Sequence, residues 1–138
     1  MRKILKYLCG LLGLLTGCSI GDTHLIDKYY LVTIDVDEDL SVSYKLESGS
    51  YLGVVNPTVF AVGFNDDFII VKQHPTNFGD TINRSITDYY IIPINNKVNK
   101  WPDENKIGPL THEEFLIKRK ELKIPDELDF STVLKKLE

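Results

Sequence analysis

The segment "TVFAVGFNDDFIIVKQ" (residues 58–73) contains two apolar runs separated by a polar turn, and this pattern decides the fold. The runs 58–64 and 67–73 are rich in Val, Ile and Phe, which favour β-strands. Asn65 and Asp66 lie between them, and both residue types tolerate the positive φ of a tight turn. The segment therefore predicts an antiparallel β-hairpin.

Four further segments have the pattern of strands. They span residues 29–36, 41–46, 51–55 and 87–94. In the first two, apolar and polar residues alternate, as in a strand with one buried face. Pro93 has no backbone donor, so we expect the end of the last run to lie at a sheet edge or to leave the sheet. The sequence thus predicts about six largely antiparallel strands in a meander or strongly curved sheet.

The C-terminal part of the chain has the pattern of helices. Thr111 and Glu114 have the spacing of a capping box at the start of a helix. This helix should continue to about Lys123 and stop before Pro125. The "KRK" run at 118–120 is expected to be its solvated face, where it could also contact lipid headgroups as a minor second signal.

A short second helix is predicted at the end of the chain. Asp129 or Ser131 would cap it, and it would end in "VLKKLE" (residues 133–138). Both helices carry apolar faces that can pack on a sheet. The predicted fold class is therefore α+β: an antiparallel β meander of about six strands with two short C-terminal helices packed on one face.

The first 20 residues have a different composition from the rest. Arg2, Lys3 and Lys6 place positive charge at the start, and residues 7–21 contain no charged residue. A charged stretch followed by a short apolar stretch is typical of a secretory signal. A membrane-spanning helix needs about 20 apolar residues. This run is shorter, so a permanent transmembrane helix is the weaker alternative.

The apolar stretch ends in Leu15-Thr16-Gly17-Cys18, which resembles the lipobox of bacterial lipoprotein precursors. In that family the cysteine thiol receives a diacylglycerol, the chain is cut just before the cysteine, and the new N-terminus is often acylated. The resemblance implies a signal peptide at 1–17, a lipidated Cys18 with a short tether at 18–24, and a single α+β domain at 25–138. A plain secreted protein with a chance cysteine is the alternative.

Cleavage before Cys18 has consequences for chemistry and charge. Cys9 would be discarded, so the mature domain would have neither a disulfide nor a free thiol for catalysis or metal binding. Loss of the three basic residues of the signal changes the formal charge from −4 to −7. An acidic domain is repelled by anionic lipid headgroups and by nucleic acid, so the lipid must hold it at the membrane. We expect no cofactor other than the covalent lipid on Cys18.

A second resemblance covers most of the mature chain. The stretches "VFAVGFNDDFIIVKQHP", "TDYYIIPI" and "IGPLTHEEF" are similar to a group of small bacterial lipoproteins without an assigned activity. In that group the domain follows the lipobox directly and ends with this helix. The resemblance supports a lipoprotein, and it implies no catalytic residue.

The longest irregular stretch between predicted strands, 72–88, is the candidate ligand-binding loop. Loops of this length in compact domains are often functional. Its polar side chains suit a polar ligand, and the candidate residues are Lys72, His74, Asn77, Asp80 and Arg84. The alternative is an ordinary solvated loop closed by Pro75 and Gly79.

Catalytic and metal-binding patterns are absent from the sequence. No serine lies in a nucleophile elbow, and no Gly-rich phosphate loop is present. The three histidines are far apart, although His74 could act as a general base if Asp80 oriented it. The pair Asp66 and Asp67 could bind a cation, but a hairpin tip explains it without one. The sequence therefore predicts no catalytic residue and no metal.

Six tyrosines lie on predicted strands. They are Tyr29, Tyr30, Tyr44, Tyr51, Tyr89 and Tyr90. Adjacent residues of a strand point to opposite faces, so one member of each adjacent pair should lie outside the core. Exposed tyrosines suit contacts with other proteins. Packing at the sheet margin with the hydroxyl in water is the alternative.

These patterns together predict a lipid-anchored protein of the bacterial cell membrane or outer membrane, with its domain outside the cytoplasm. Ser19, rather than an aspartate, after the cysteine favours the outer membrane where one exists. The expected role is a non-catalytic binding or inhibitor module for another envelope or extracellular protein, by analogy with small lipoproteins that block lysozymes or toxins. The alternatives are a structural subunit of an envelope complex, or a small hydrolase centred on His74, Asp80 and Arg84.

Overall fold

The computed structural model describes residues 21–76, 81–94 and 101–138. The predicted signal peptide and Cys18 lie outside the described residues. The strands are β1 (Gly21–Ile26), β2 (Tyr29–Thr33), β3 (Ser41–Lys45), β4 (Tyr51–Val55), β5 (Val59–Phe64), β6 (Phe68–Gln73), β7 (Asp88–Pro93), β8 (Ile107–Leu110) and β9 (Ser131–Thr132). The helix α1 is His112–Glu121, and 3-10 turns lie at Asp37–Asp39, Pro102–Glu104 and Lys135–Leu137. Within these ranges, no helix has the length and apolar character needed to cross a bilayer.

The strands form two antiparallel sheets. The first has the order β1-β2-β3-β4, and the second has the order β8-β7-β6-β5-β9. The predicted hairpin is formed by β5 and β6, with Val62 opposite Val71. Asn65 stabilises its turn, because its side-chain oxygen accepts hydrogen bonds from the backbone N–H groups of Asp67 and Phe68, each at 2.8 Å.

The main core lies between the two sheets. Val42 and Val54 from the first sheet and Ile69, Val71 and Ile92 from the second are all fully buried there. Side chains of a strand alternate between its two faces, so these residues recur at every second position of β6 and β7. Burial of apolar surface between the sheets is the main stabilising contribution.

The opposite face of the second sheet is also buried. Ile70 and Ile91 alternate with the core residues of β6 and β7, and they pack against Phe115 of α1 and against Ile124 and Leu128 beyond it. A sheet covered on both faces requires continuous apolar runs rather than alternation. This explains the continuous apolar runs at residues 68–71 of β6 and 89–92 of β7.

The predicted single meander with six strands is only roughly matched. The described residues contain nine strands in two sheets, and the sequence patterns did not predict β1, β8 and β9. Residues 21–24, which the sequence placed in the tether, pair with β2 as part of β1. They are exposed and polar, so their strand conformation depends on pairing with β2 and not on their own burial.

The predicted second C-terminal helix is wrong. Residues 131–132 form β9 on the edge of β5, with Ala61 opposite Thr132, and the following residues form a 3-10 turn. The edge of β5 offers unpaired backbone groups, which an extended segment can satisfy and a helix cannot. The apolar residues that follow then reach different places, since Val133 packs against the inter-sheet core and Leu137 against Phe60.

The first predicted helix is confirmed with its capping box. The side-chain oxygen of Thr111 accepts from the backbone N–H of Glu114, and the carboxylate of Glu114 accepts from the backbone N–H of Thr111.

The "KRK" run is not simply a solvated face. Arg119 donates to the carbonyl oxygens of Pro125 and Leu128, at 2.9 and 2.8 Å, and so fixes the chain after the helix.

Pro93 lies at the end of a central strand. β7 has β6 on one side and β8 on the other, so the strand as a whole is not at an edge. Its last pair with β8 is Ile91 with Ile107, and Pro93 is two residues beyond it. The missing donor of proline therefore costs no hydrogen bond with β8.

We expect Gly63→Ala to destabilise the fold. A Cβ atom at Gly63 would lie 2.2 Å from the carbonyl oxygen of Asp129, so the segment before β9 would have to move. The expected loss is about 1–3 kcal/mol in the free energy of unfolding, measured by urea denaturation. Gly53→Ala in β4 is the matched control, because a Cβ atom at that position would meet no atom within 4 Å. Equal effects of the two substitutions would contradict this close packing.

Stability should also fall at alkaline pH because of Tyr29. Burial, with smaller effects from Tyr44 and Asp27, raises the pKa of Tyr29 from 10.0 to about 12. The folded state then holds this proton more tightly than the unfolded chain, so its contribution is present below pH 10 and is lost as the pH rises toward 12. Urea midpoints across this interval should fall less in Tyr29→Phe than in the wild type. If the urea midpoint of Tyr29→Phe fell as much as that of the wild type, groups other than Tyr29 would cause the loss of stability.

Candidate functional site

The described part of the predicted binding loop makes ordered contacts within itself. Lys72 is part of β6, and Thr76 pairs with Ile82 in an isolated bridge. The backbone N–H of Asn83 donates to the carbonyl oxygen of Pro75 at 2.8 Å. Asn77 and Asp80, two of the candidate residues, lie outside the described residues. Over the described part of the loop, Thr81 and residues 84–86 are exposed, whereas His74 is buried.

Three of the five candidate residues line one cavity. Lys72, His74 and Arg84 surround a volume of about 350 Å³, which we call the His74 cavity. The remaining lining residues are Phe60, Thr87, Tyr89, Leu137 and Glu138. Sequence reasoning missed these five. No local signal marks them, because β5, β7 and the C-terminal turn meet only in the folded chain.

His74 is buried at the base of this cavity, with 5% of its surface exposed. Its Nδ1 lies 2.8 Å from the carbonyl oxygen of Ile86, and its Nε2 lies 2.6 Å from that of Leu137. The ring stacks on Phe60 with a centroid separation of 4.2 Å and an angle of 14°. Both ring nitrogens are thus engaged with the backbone, and neither is available to take a proton from a substrate.

Arg84 is exposed, and it binds the same C-terminal turn. Its Nη1 donates to the carbonyl oxygen of Lys136 at 3.2 Å, next to the Leu137 carbonyl that faces His74. The last carbonyls of a helical turn have no partner within the turn, and basic side chains commonly bind them. Two candidate ligand-binding residues therefore also hold the C-terminal turn in place.

Lys72 lies on an aromatic surface beside the cavity. Its Nζ is 4.7 Å from the ring centroid of Phe130 and 5.8 Å from that of Tyr89, the distances of cation–π interactions. Among the described residues, no carboxylate forms a salt bridge with Lys72. The ammonium group of Lys72 therefore lies over these two rings, in the lining of the cavity.

The carboxylates near the cavity are held by other groups. Glu138 lines the cavity, and its Oε1 accepts from the hydroxyl of Thr132 at 3.0 Å. Glu38 forms a salt bridge with Lys136 at 2.7 Å. The hydrogen bond from Lys136 lowers the pKa of Glu38, and the charge of Arg84 adds a smaller effect in the same direction.

A second polar surface lies on the outer side of the first sheet. We call His24, Tyr30, Lys45 and Tyr51 the aromatic face. Tyr30 has its ring 5.0 Å from His24 and 5.7 Å from Tyr51. Lys45 Nζ is 5.5 and 5.7 Å from the two tyrosine rings. The Tyr51 hydroxyl donates to Asp22, and this bond raises the pKa of Tyr51 to about 12.

The members of each adjacent tyrosine pair point to opposite faces, as predicted, but not every pair has a member outside the core. Tyr29 lies in the inter-sheet core against Tyr44, whereas Tyr30 is on the outer face, as the alternation requires. Tyr89 and Tyr90 also point to opposite faces of their strand. Neither is fully outside the core, because the second sheet is covered on both faces.

The two aspartates considered for a cation lie at the hairpin tip. Asp66 and Asp67 are exposed next to the turn that Asn65 stabilises. In the part of the chain that the structure describes, no group of three or more His, Cys, Asp or Glu residues is arranged to hold a metal ion. The turn geometry accounts for the position of this pair.

His74→Ala should destabilise the domain by about 2–4 kcal/mol, because two carbonyls lose their donor and the ring no longer stacks on Phe60. Urea denaturation of the full chain in detergent measures this loss. His112→Ala is the matched control, since His112 is exposed at the start of α1, and its effect should stay within about 0.5 kcal/mol. If His74→Ala were as stable as the wild type, a structural role for the two hydrogen bonds of His74 would be contradicted.

Comparison with known proteins places the chain in a family. Residues 26–134 match the profile of a family described as "Protein of unknown function (DUF3997)". No curated protein and no solved structure is significantly similar to the chain. The match covers all described strands from β2 to β9 together with α1. The chain therefore belongs to the DUF3997 family, whose function is not known.

Proposed function

We propose that this protein is a lipid-anchored protein of the bacterial cell envelope whose domain is a non-catalytic binding or inhibitor module for another envelope or extracellular protein. The observation that carries the proposal is the His74 cavity, where Lys72 and Arg84 are accessible while both nitrogens of His74 are engaged with backbone carbonyls. Such a site offers charge for recognition and no free base for chemistry.

The position of the first strand is compatible with the proposed anchor at Cys18. β1 begins at Gly21, so the tether would be shorter than the sequence suggested. A fully extended chain spans at most about 3.6 Å per residue, which would keep the first strand within roughly 11 Å of the lipidated residue. Two or three acyl chains on Cys18 would supply stable membrane binding that a single chain does not.

The geometry of His74 favours binding over hydrolysis. A general base needs a nitrogen within hydrogen-bond reach of the proton that it removes. In this protein the carbonyls of Ile86 and Leu137 occupy both nitrogens, and the ring is buried against Phe60. A hydrolase centred on His74 would require one of these contacts to break, to free the nitrogen that takes the proton.

The aromatic face offers a second contact surface. Tyr30 and Tyr51 are half-buried, with rings that are already ordered by each other and by Lys45. Ordered tyrosines lose little conformational entropy on binding, and tyrosine is enriched at protein interfaces. We propose that this face adds contact area to the recognition of the partner.

The test is crosslinked capture of the full chain from its own membranes. The wild type should crosslink to one envelope or extracellular protein. Tyr51→Thr should reduce the yield several-fold by removing a contact ring, and Ile117→Thr, on the exposed surface of α1, is the matched control. Cys18→Ala should abolish lipidation, detergent partitioning and capture at the membrane.

Unchanged mass and detergent partitioning in Cys18→Ala would overturn the anchor. Absence of any crosslinked protein would overturn the binding module. A partner that remains bound at fixed stoichiometry under every condition would favour the alternative of a structural subunit of an envelope complex.

A further inference from the structure

The contacts of His74 constrain where its ring hydrogens can lie. Both ring nitrogens face backbone carbonyl oxygens, those of Ile86 at 2.8 Å and Leu137 at 2.6 Å. A carbonyl oxygen only accepts hydrogen bonds, so each ring nitrogen must carry a hydrogen to make its bond. A neutral imidazole has one N–H and one lone pair, and the lone pair would face an oxygen at close range. The arrangement therefore fits the imidazolium form.

This imidazolium has no carboxylate partner in the described chain. No described Asp or Glu forms a salt bridge with His74, which is 5% exposed. A charge at a buried position is screened less by solvent than one on the surface. Its field therefore reaches into the cavity that the ring helps to line.

With His74 in the imidazolium form, three positive groups would surround the His74 cavity. His74 lies at its base, and Lys72 and Arg84 contribute from β6 and the following loop. Glu138 is the one carboxylate among the described lining residues, and Tyr89 is the other titratable group there. With the proposed removal of the signal, the domain as a whole would carry a formal charge of −7, so these basic groups are opposite in sign to its net charge.

We propose that the His74 cavity binds an oxyanion, and that the occupant is the carboxylate of an acidic side chain on the partner protein. This inference rests on the proposed function as a protein-binding module. The basic side chains of Lys72 and Arg84, which both line the cavity, are opposite in charge to a carboxylate. The guanidinium of Arg84 keeps donors beyond the one bonded to Lys136, and a planar guanidinium suits a carboxylate.

The protonation of His74 is tested directly by nitrogen NMR of the full chain in detergent micelles, with ¹⁵N-labelled histidine. At near-neutral pH, the signals lost in His74→Gln should be those of a ring with hydrogens on both nitrogens. The exposed His24 and His112 provide internal references in the same spectrum. A His74 ring with one protonated nitrogen would overturn the charge assigned to the cavity.

Binding is tested with acetate as the carboxylate probe, at constant ionic strength set by chloride. Acetate should shift the signals of His74 and Thr87 in a saturable way. Lys72→Gln and Arg84→Gln should each weaken binding about three-fold or more, the size expected for loss of one partly exposed ion pair. Glu138→Gln should strengthen binding by a similar factor, because it removes the competing carboxylate.

Lys45→Gln is the matched control. Lys45 also lies over two tyrosine rings, but it belongs to the aromatic face on the other sheet. Equal weakening in Lys45→Gln, or no saturable shift at His74 and Thr87, would overturn the site. Inorganic phosphate that binds ten-fold more tightly than acetate would overturn the carboxylate assignment in favour of a free phosphate or a phosphate headgroup.

The capture experiment separates this inference from the proposed function. If a partner is crosslinked but acetate fails to bind, the carboxylate site is wrong and the binding module stands. If acetate binds but no partner is captured, the cavity is an anion site, and both its assigned occupant and the proposed function are wrong. Loss of capture in Arg84→Gln together with weaker acetate binding supports both.

Discussion

Burial of both faces of the second sheet is the constraint on which the rest of this structure depends. Ile69 and Ile70 point to opposite sides of β6, and both are fully buried. One side needs the first sheet as a cover, and the other needs α1 and the chain that follows it. Apolar surface that remained in water on either side would cost about 25 cal/mol for each Å². The three-layer arrangement satisfies both requirements with one short helix.

The same constraint leads to the candidate site. After α1, the chain returns across the sheet, pairs with the edge of β5 as β9, and ends in the turn that buries Leu137 beside Phe60. This return brings the carbonyls of Lys136 and Leu137 to the loop after β6, where Arg84 and His74 donate to them. The same C-terminal turn therefore closes the domain and completes the His74 cavity. Arg84 and His74 hold this turn in place and also line the cavity.

Several features could be predicted because their causes are local. The hairpin at Asn65 depends on a turn of a few residues, and the start of α1 depends on the reciprocal bonds of Thr111 and Glu114. Lys72, His74 and Arg84 could be chosen as candidates because they lie in one stretch of the sequence, residues 72–88. The engagement of His74 with Leu137 could not, since the two residues are 63 positions apart in the chain. The second helix failed for the same reason, because the open edge of β5 outweighed the weak helical preference of residues 131–138.

By itself, the sequence determined the largely antiparallel strands and the capped helix α1, because each depends on neighbours in the chain. The candidate ligand-binding residues and the lipobox-like segment at Cys18 stay predictions. Only the tertiary structure decided that the strands divide into two sheets, that the end of the chain is a strand and not a helix, and that both nitrogens of His74 are engaged. Pairing of strand edges and burial of faces are interactions between distant residues, and no local pattern specifies which distant partner satisfies them.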